Sequence, residues 1–257
     1  MKYHKPTRSY RIWFSQRNGS TVLAKMLEQT GIAGKPQELF NIYDTTLCEH
    51  YGVKGYDALL EKLWQIGATK NGIMSVKHCL FRHRLDPILM ELADLQGIST
   101  KEEINAETVF ADLFPDCKHI FLTRRNKVRQ AVSWWKAIKD QQWHLTSDQS
   151  HRNDEAFYEE HYNFDALSHL LKETVLRECQ IQAYFAKYDI VPLTLVYEDF
   201  VQDFPATIRQ ILDYIEVDHS NLPLGEPPLK RTATDLSEIW VQRFRKDLQA
   251  DWKQQIW

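Results

Sequence analysis

The chain reads Phe14-Ser15-Gln16-Arg17-Asn18-Gly19-Ser20-Thr21 at the junction between a short apolar run, residues 10–14, and a helical pattern, residues 20–30. This order of elements is typical of an anion-binding site: a strand, a tight turn with one glycine, and a helix with hydroxyls on its first turn. In such a turn the backbone N–H groups and the positive end of the helix dipole are directed at the same position. Arg17 adds a permanent cation whose planar fork suits phosphate or sulfate oxygens. We predict that this segment binds a phosphorylated cofactor, although a structural Asn-Gly turn would also explain it alone.

The alternation of apolar runs and helical patterns indicates an α/β fold. Short β-branched and aromatic runs predict buried strands at residues 10–14, 73–76, 119–123 and 191–196. Apolar residues at helical spacing predict helices near 21–29, 59–64, 89–95, 126–139, 205–215 and 236–248, with one or two long helices over 154–187. Such strands suit a parallel central sheet, whose loops after the strand ends share one ligand-binding edge. We expect one domain over residues 1–257.

Composition excludes several classes of function. The 257 residues are 43% hydrophobic and 26% charged, with a net charge of −3 and no long basic block, so nothing favours nucleic-acid binding. The four cysteines form no C-x-x-C pair, which predicts reduced thiols and neither a disulfide framework nor a metal site. No run of 18 apolar residues and no signal core occur. We expect a soluble, cytoplasmic protein without a membrane span.

A second basic site follows the predicted strand at residues 119–123. Arg124 and Arg125 come directly after it, and Ser133 lies on the next predicted helix. Because parallel strands end at one sheet edge, these groups are expected near Arg17, where they could bind a second anionic group. The alternative is that Arg124 and Arg125 form a solvated pair at the end of the strand and bind no ligand. Two cation-plus-hydroxyl sites on one edge favour a ligand with two anionic ends.

The segment 14–21 departs from the common nucleotide-binding motifs. A Walker A loop requires G-x-x-x-x-G-K-[ST], whereas here Arg17 precedes the glycine and Ser20 follows it. No G-x-G-x-x-G fingerprint occurs among the 9 glycines. Both departures weaken Mg-ATP and dinucleotide binding as interpretations.

Four segments together resemble one enzyme family. Residues 15–21 look like the 5′-phosphosulfate loop of sulfotransferases that use 3′-phosphoadenosine 5′-phosphosulfate (PAPS), and most of all like the bacterial trehalose 2-sulfotransferase type, related to nodulation-factor and lipopolysaccharide sulfotransferases. Three later segments of the chain also resemble motifs of this family, in the same order: Gly34-Lys35-Pro36-Gln37-Glu38-Leu39-Phe40, the run from Arg124 through Ser133 to Ala137, and Arg231-Thr232-Ala233. The resemblance implies a P-loop-like three-layer fold and spans residues 10 to about 245.

The resemblance also implies roles for single residues. Arg17 would bind the 5′-phosphosulfate and stabilise the leaving group, within a loop formed by Ser15, Gln16, Arg17, Asn18, Gly19, Ser20 and Thr21. Either Arg124 or Arg125, with Ser133, would hold the 3′-phosphate, and Arg231 could close over the nucleotide. Asn18 replaces the more usual serine of the loop. The reaction implied is in-line transfer of the sulfuryl group to a hydroxyl of a carbohydrate or glycolipid, with no metal required.

The general base has two candidates. Glu38 matches the glutamate that the resemblance implicates, whereas His78 follows the predicted strand at 73–76, beside Lys77. We prefer Glu38, since the spacing around His78 differs from that of animal-type sulfotransferases; Lys77 could touch the bridging oxygen or the sulfonate. Tyr197-Glu198-Asp199-Phe200 is interpreted as structural.

Two other classes of function stay open at this stage, a P-loop nucleotide kinase and a non-catalytic nucleotide-binding protein. The sequence leaves the acceptor sugar and the oligomeric state open, and a homodimer would fit the resemblance.

Overall fold

The computed structural model describes residues 5–79, 82–98, 104–146, 148–151, 153–250 and 252. Four strands run through it: β1 (Arg8–Phe14), β2 (Ile73–His78), β3 (Cys117–Thr123) and β4 (Leu193–Val196). The helices are α1 (Ser20–Gln29), α2 (Leu47–Tyr51), α3 (Tyr56–Gly67), α4 (Arg82–Leu95), α5 (Ala106–Phe110), α6 (Lys127–Asp140), α7 (Glu155–Glu160), α8 (Phe164–Lys187), α9 (Tyr197–Phe200), α10 (Phe204–Tyr214) and α11 (Asp235–Leu248).

The four strands form one parallel sheet in the order β2-β1-β3-β4. Strand β1 pairs with β2 on one side and β3 on the other, and six of its seven residues are buried. Both faces of such a strand need apolar cover, which explains why its sequence is a continuous apolar run and not an alternating one. The central parallel sheet predicted from the sequence is confirmed.

Helices cover both faces of the sheet and complete three layers. On one face, Tyr10, Ile12 and Phe14 of β1 pack in a cluster with apolar residues of α1 and α10. On the other face, Trp13 and Phe121 pack against α8, and β2 contributes to a cluster with α3, α4 and α5. Helices α6, α7, α8 and α11 share a further core beside the sheet. The P-loop-like arrangement, with a loop joining β1 to α1 at the sheet edge, agrees with the sequence analysis.

The long helical stretch predicted over 154–187 consists of two helices, α7 and α8. The break falls at residues 161–163, where Asn163 caps α8 by accepting a hydrogen bond from the backbone N–H of Ala166. Strand β4 begins two residues later than predicted, and Val191 is largely exposed. Within the described ranges, no helix is both long and apolar enough to cross a bilayer.

Candidate active site

The loop between β1 and α1 has a backbone conformation that concentrates N–H groups. Arg17 and Gly19 both have left-handed backbone angles, with φ of 65° and 87°, and no side chain caps the first turn of α1. Uncapped N–H groups at a helix N-terminus are available to an anion. A Cβ on Gly19 would lie 2.6 Å from the ring of Phe200, so glycine is required there by packing as well as by φ.

Arg17 is half-buried, and its guanidinium is held in place by three protein acceptors. Its Nε donates to the Ser133 hydroxyl (3.1 Å), and its two terminal nitrogens donate to the Trp143 carbonyl (2.6 Å) and the Thr232 hydroxyl (2.9 Å). Burial, reinforced by the guanidinium of Arg124, lowers the pKa of Arg17 to about 10, so the group is still cationic at neutral pH. Three of its five N–H groups are used, and the others can reach a ligand.

A cavity of about 520 Å³ opens beside this loop. Its size lies within the range of small-molecule sites. Gly19, Ser20 and Thr21 line one side, with Ser133 of α6 nearby. Cationic side chains outnumber acidic ones in the lining, which therefore favours an anionic ligand: the cations are Arg17, Arg124, Arg129, Lys230 and Arg231, and the one acid among the described lining residues is Glu198.

The two arginines after β3 have different surroundings. Arg124 is 7% exposed, lines the cavity, and donates to the backbone carbonyl of Arg17 (3.1 Å). Its Nε has no hydrogen-bond partner among the described residues, with Glu198 at 3.6 Å. Arg125 is exposed and forms a bidentate pair with Asp199, outside the lining of the cavity. Of the two sequence candidates for the second anionic group, Arg124 lines the cavity and Arg125 does not.

Three residues of the predicted loop face the protein instead of the cavity. Ser15 donates to Glu178 (3.2 Å) and accepts from Gln130 (2.9 Å). Gln16 bonds to Cys79 at the end of β2, through its amide nitrogen (3.1 Å). Asn18 is fully buried and donates to the Leu122 carbonyl of β3 (2.6 Å). The side chain that departs from the family pattern therefore anchors the loop to the sheet, and only its backbone can contribute to an anion site.

Glu38 lies at the same sheet edge, beyond the end of β2. Residue Gln37 forms an isolated parallel bridge to Val76, and its carbonyl accepts the Lys77 N–H (3.0 Å), so the segment runs beside β2 like a short extra strand. The carboxylate of Glu38 pairs with the ammonium of Lys77, which is 7% exposed. Glu38 is half-buried and does not line the cavity, but the contact between Gln16 and Cys79 links the cavity loop to this strand end.

His78 is enclosed on the opposite face of the same strand. It is 2% exposed, and its ring lies 4.1 Å from that of Trp13. Neither ring nitrogen has a hydrogen-bond partner within the described part of the chain. Burial, with Arg11 and His119 nearby, holds the pKa of His78 well below its ordinary value. Sequence reasoning named His78 as the rival base; the structure places its ring on the face of β2 opposite to Lys77, because successive strand residues face opposite sides of a sheet.

Two loops that sequence reasoning did not pair form one wall of the cavity. This two-loop wall consists of residues 141–146, after α6, and residues 227–233, before α11. The N–H of Lys230 donates to the Leu145 carbonyl (2.8 Å), and Thr146 bridges Leu229. Trp143 and His144 line the cavity from the first loop, and Arg231 and Thr232 from the second. The two-loop wall meets the loop between β1 and α1 at Arg17, whose side chain donates hydrogen bonds to both loops of the wall.

Other cavity residues come from the end of β4. Tyr197 and Glu198 line the cavity, and the Tyr197 ring stacks on the Arg124 guanidinium at 4.5 Å. The Glu198 carboxylate accepts the backbone N–H groups of Arg125 (2.9 Å) and Asn126 (3.2 Å). The sequence interpretation of residues 197–200 as structural is therefore incomplete. Their position after a strand on the ligand edge is the signal that could have identified them.

A family model for the Stf0 sulphotransferase matches residues 9–247. The chain belongs to this family. Trehalose 2-sulfotransferases of Mycobacterium tuberculosis (strain Erdman) and Mycolicibacterium smegmatis are each 27% identical to it, over 95% of this chain and 96% of their own length. A sulfotransferase structure from Alicyclobacillus acidocaldarius, 14% identical, superimposes with a TM-score of 0.46 over 96% of each chain.

Family membership sets aside one of the two other classes of function left open by the sequence. A sulfotransferase is a transferase of sulfuryl groups, so the nucleotide kinase alternative is set aside. The described residues contain no group of three or more side chains placed to hold a metal ion.

Proposed function

We propose that this sulfotransferase takes the sulfuryl group from PAPS and transfers it to a hydroxyl of a carbohydrate or glycolipid. The observation that carries the proposal is the cationic cavity, with Arg17 and the N-terminus of α1 at one part of it and buried Arg124 at another. Arg124 is 7% exposed and lines the cavity, and its guanidinium fits a ligand with a second anionic group. The names of the relatives, trehalose 2-sulfotransferases, support a saccharide acceptor.

PAPS supplies an activated sulfuryl group whose bond to the 5′-phosphate oxygen breaks as the acceptor oxygen attacks. Arg17 and the N–H groups of residues 18–21 would neutralise the charge that grows on the leaving oxygen, and such preorganised donors are often the largest catalytic contribution. Arg124 and Ser133 would hold the 3′-phosphate, and Arg231, on the two-loop wall, would cover the nucleotide.

Glu38 is the base in this proposal. Its carboxylate would accept the proton of the attacking hydroxyl, and Lys77, which pairs with it, would keep it oriented and approach the sulfonate. His78 has no role, because its ring is enclosed. A homodimer and a cytoplasmic location stay predictions from the sequence.

The test is a transfer assay with radiolabelled PAPS against a panel of sugars and glycolipids that includes trehalose. We expect one or more acceptors to be labelled, and Glu38→Gln to lower kcat by about 100-fold or more, since general bases typically contribute 10²–10⁴. The affinity for 3′,5′-ADP, measured by calorimetry, should be unchanged in this variant.

His78→Leu is the matched control, because it changes the rival base one strand position beyond Lys77 and should leave turnover intact. Nucleotide binding without labelling of any acceptor would indicate a non-catalytic protein and contradict the proposal. Full activity in Glu38→Gln would contradict only the assignment of the base.

A further inference from the structure

We propose that His144 is a further catalytic residue, a neutral imidazole that donates a hydrogen bond to the sulfuryl group during transfer. The inference rests on the proposed function and assigns a residue that no motif of the sequence indicated. His144 lies on the two-loop wall and lines the cavity.

The backbone on both sides of His144 is fixed by contacts with the cavity. The carbonyl of Trp143, which precedes it, accepts a hydrogen bond from Arg17 (2.6 Å). Leu145, which follows it, is 1% exposed, and its carbonyl accepts the N–H of Lys230 (2.8 Å). The Cα of His144 is therefore held beside the group proposed to bind the 5′-phosphosulfate, and its position does not depend on a free loop.

The ring of His144 is within electrostatic reach of both halves of the proposed reaction. Burial lowers the pKa of His144 most, followed by the cations Arg17, Lys77 and Lys25. The carboxylate of Glu38 raises the pKa and opposes them. Arg17 belongs to the leaving-group side, whereas Glu38 and Lys77 belong to the acceptor side. His144 lines the cavity, so its ring can approach a sulfuryl group bound beside Arg17.

The protonation state suits a donor to a sulfonate oxygen. With its pKa lowered, the imidazole is neutral at neutral pH and offers one N–H donor and one acceptor nitrogen. Neither nitrogen has a hydrogen-bond partner among the residues that the structure describes. The unused donor of His144 faces a cavity that already has cations for the phosphates.

The test compares His144→Ala, His144→Gln and His151→Ala. His151 is a matched control, because it is an exposed histidine seven residues later that does not line the cavity. Calorimetry without acceptor gives the affinities for PAPS and 3′,5′-ADP, which differ only by the sulfuryl group, and the transfer assay gives kcat.

We expect His144→Ala to weaken PAPS binding by about tenfold and to leave 3′,5′-ADP binding unchanged, as for loss of one hydrogen bond to a charged group. In the transfer assay its kcat should fall by about 100-fold, the effect of removing one preorganised donor, and His144→Gln should recover part of it. His151→Ala should match the wild type in all three measurements.

Equal losses of PAPS and 3′,5′-ADP affinity in His144→Ala would overturn the inference, because they would indicate a loop that had lost its structure. Wild-type PAPS selectivity and kcat in that variant would overturn it as well. Absence of transfer by the wild type would instead contradict the proposed function, and the ratio of the two affinities tests the contact with the sulfuryl group independently of any acceptor.

Discussion

Arg17 connects every part of the candidate site at the scale of a single residue. Its backbone adopts the left-handed conformation that turns the loop, and its guanidinium bonds to α6 and to both loops of the wall. Arginine is uncommon at a positive φ, so this residue accepts backbone strain at a position where its side chain is needed. The sequence identified Arg17 from its place in the motif, but its three partners are 116, 126 and 215 residues away and required the fold.

The choice between Arg124 and Arg125 shows what a strand-end motif leaves undetermined. Adjacent residues after a strand point in different directions, and the sequence offers no signal for which one faces the cavity. Asp199 lies where it can pair with Arg125, whereas the ring of Tyr197 covers Arg124. Both partners belong to α9, a four-residue helix that is too short for helical periodicity to reveal.

We predict that Arg124→Ala removes the discrimination between 3′,5′-ADP and 5′-AMP. Arg124 is the buried cation proposed for the 3′-phosphate, and hydrogen bonds to charged groups contribute about 1.5–3 kcal/mol, which corresponds to a loss of 10-fold to 100-fold in 3′,5′-ADP affinity. The affinity for 5′-AMP should change little. Calorimetry with the two nucleotides measures the ratio.

Arg125→Ala is the control for this prediction, because it removes the neighbouring arginine from an exposed pair with Asp199. It should keep the wild-type ratio of the two affinities. If Arg125→Ala lost the discrimination and Arg124→Ala kept it, the 3′-phosphate would bind at Arg125, and our assignment to Arg124 would be wrong.

At the scale of elements, the sequence predicted the strands and helices whose own residues carry a clear apolar pattern. The four strands appear as predicted because each is an apolar run between polar borders, and α1, α6, α10 and α11 follow their periodic apolar residues. The two-loop wall has no such pattern. Its pairing joins residues 145–146 to 229–230 through one backbone hydrogen bond and one bridge, and those contacts exist only once α6 and α11 have packed together.

The base of the first loop is held by a buried charge. Asp140, at the end of α6, pairs with Lys136 (2.8 Å) and also accepts from the Gln142 N–H (2.8 Å) and from Asn153 (2.6 Å). The carboxylate thus joins Gln142, in the first loop of the wall, to Asn153, which follows that loop in the chain. A loop closed in this way can present Trp143 and His144 to the cavity without a regular element of its own.

We predict that the backbone hydrogen bond between the two loops supports nucleotide affinity. Lys230→Pro removes the N–H that donates to Leu145, and Lys230→Ala removes the same charge but keeps the N–H. One hydrogen bond contributes about 0.5–1.5 kcal/mol, so Lys230→Pro should bind 3′,5′-ADP about threefold to tenfold more weakly than Lys230→Ala. Equal affinities of the two variants, measured by calorimetry, would mean that the wall closes without this contact.

At the scale of the whole molecule, the two faces of the sheet have different chemistry. The face toward α1 and α10 is apolar, whereas the face toward α5 and α8 contains a buried polar network. There the fully buried Arg11 pairs with Glu107 and lies 3.3 Å from His119, which in turn accepts from Trp13. His78 lies in the same region, against Trp13. None of these groups lines the cavity, so we expect them to affect stability and not catalysis.

The two buried histidines make stability depend on pH in a defined window. Burial, with Arg11 as the second cause, lowers the pKa of His119 to about 3, and Glu107 opposes that shift only in part. Burial, Arg11 and His119 hold the pKa of His78 well below its ordinary value. In the unfolded chain both rings titrate near pH 6.5. Above that pH both states are neutral; below it the unfolded state binds protons that the folded state does not, so the free energy of unfolding falls as the pH falls.

We therefore predict that the free energy of unfolding, measured with urea, falls as the pH is lowered from 6.5 to 5, with a slope that steepens toward about 1 kcal/mol per pH unit for His119 and a contribution of the same sign from His78. This window lies above the range in which Glu107 and other carboxylates titrate, so their contribution is small there. His78→Leu should make the slope shallower, and it should fold, because neither nitrogen of the native ring has a hydrogen-bond partner among the described residues. If His78→Leu kept the wild-type slope, His78 would have to be protonated in the folded state, which its enclosure between Trp13 and Arg11 makes unfavourable.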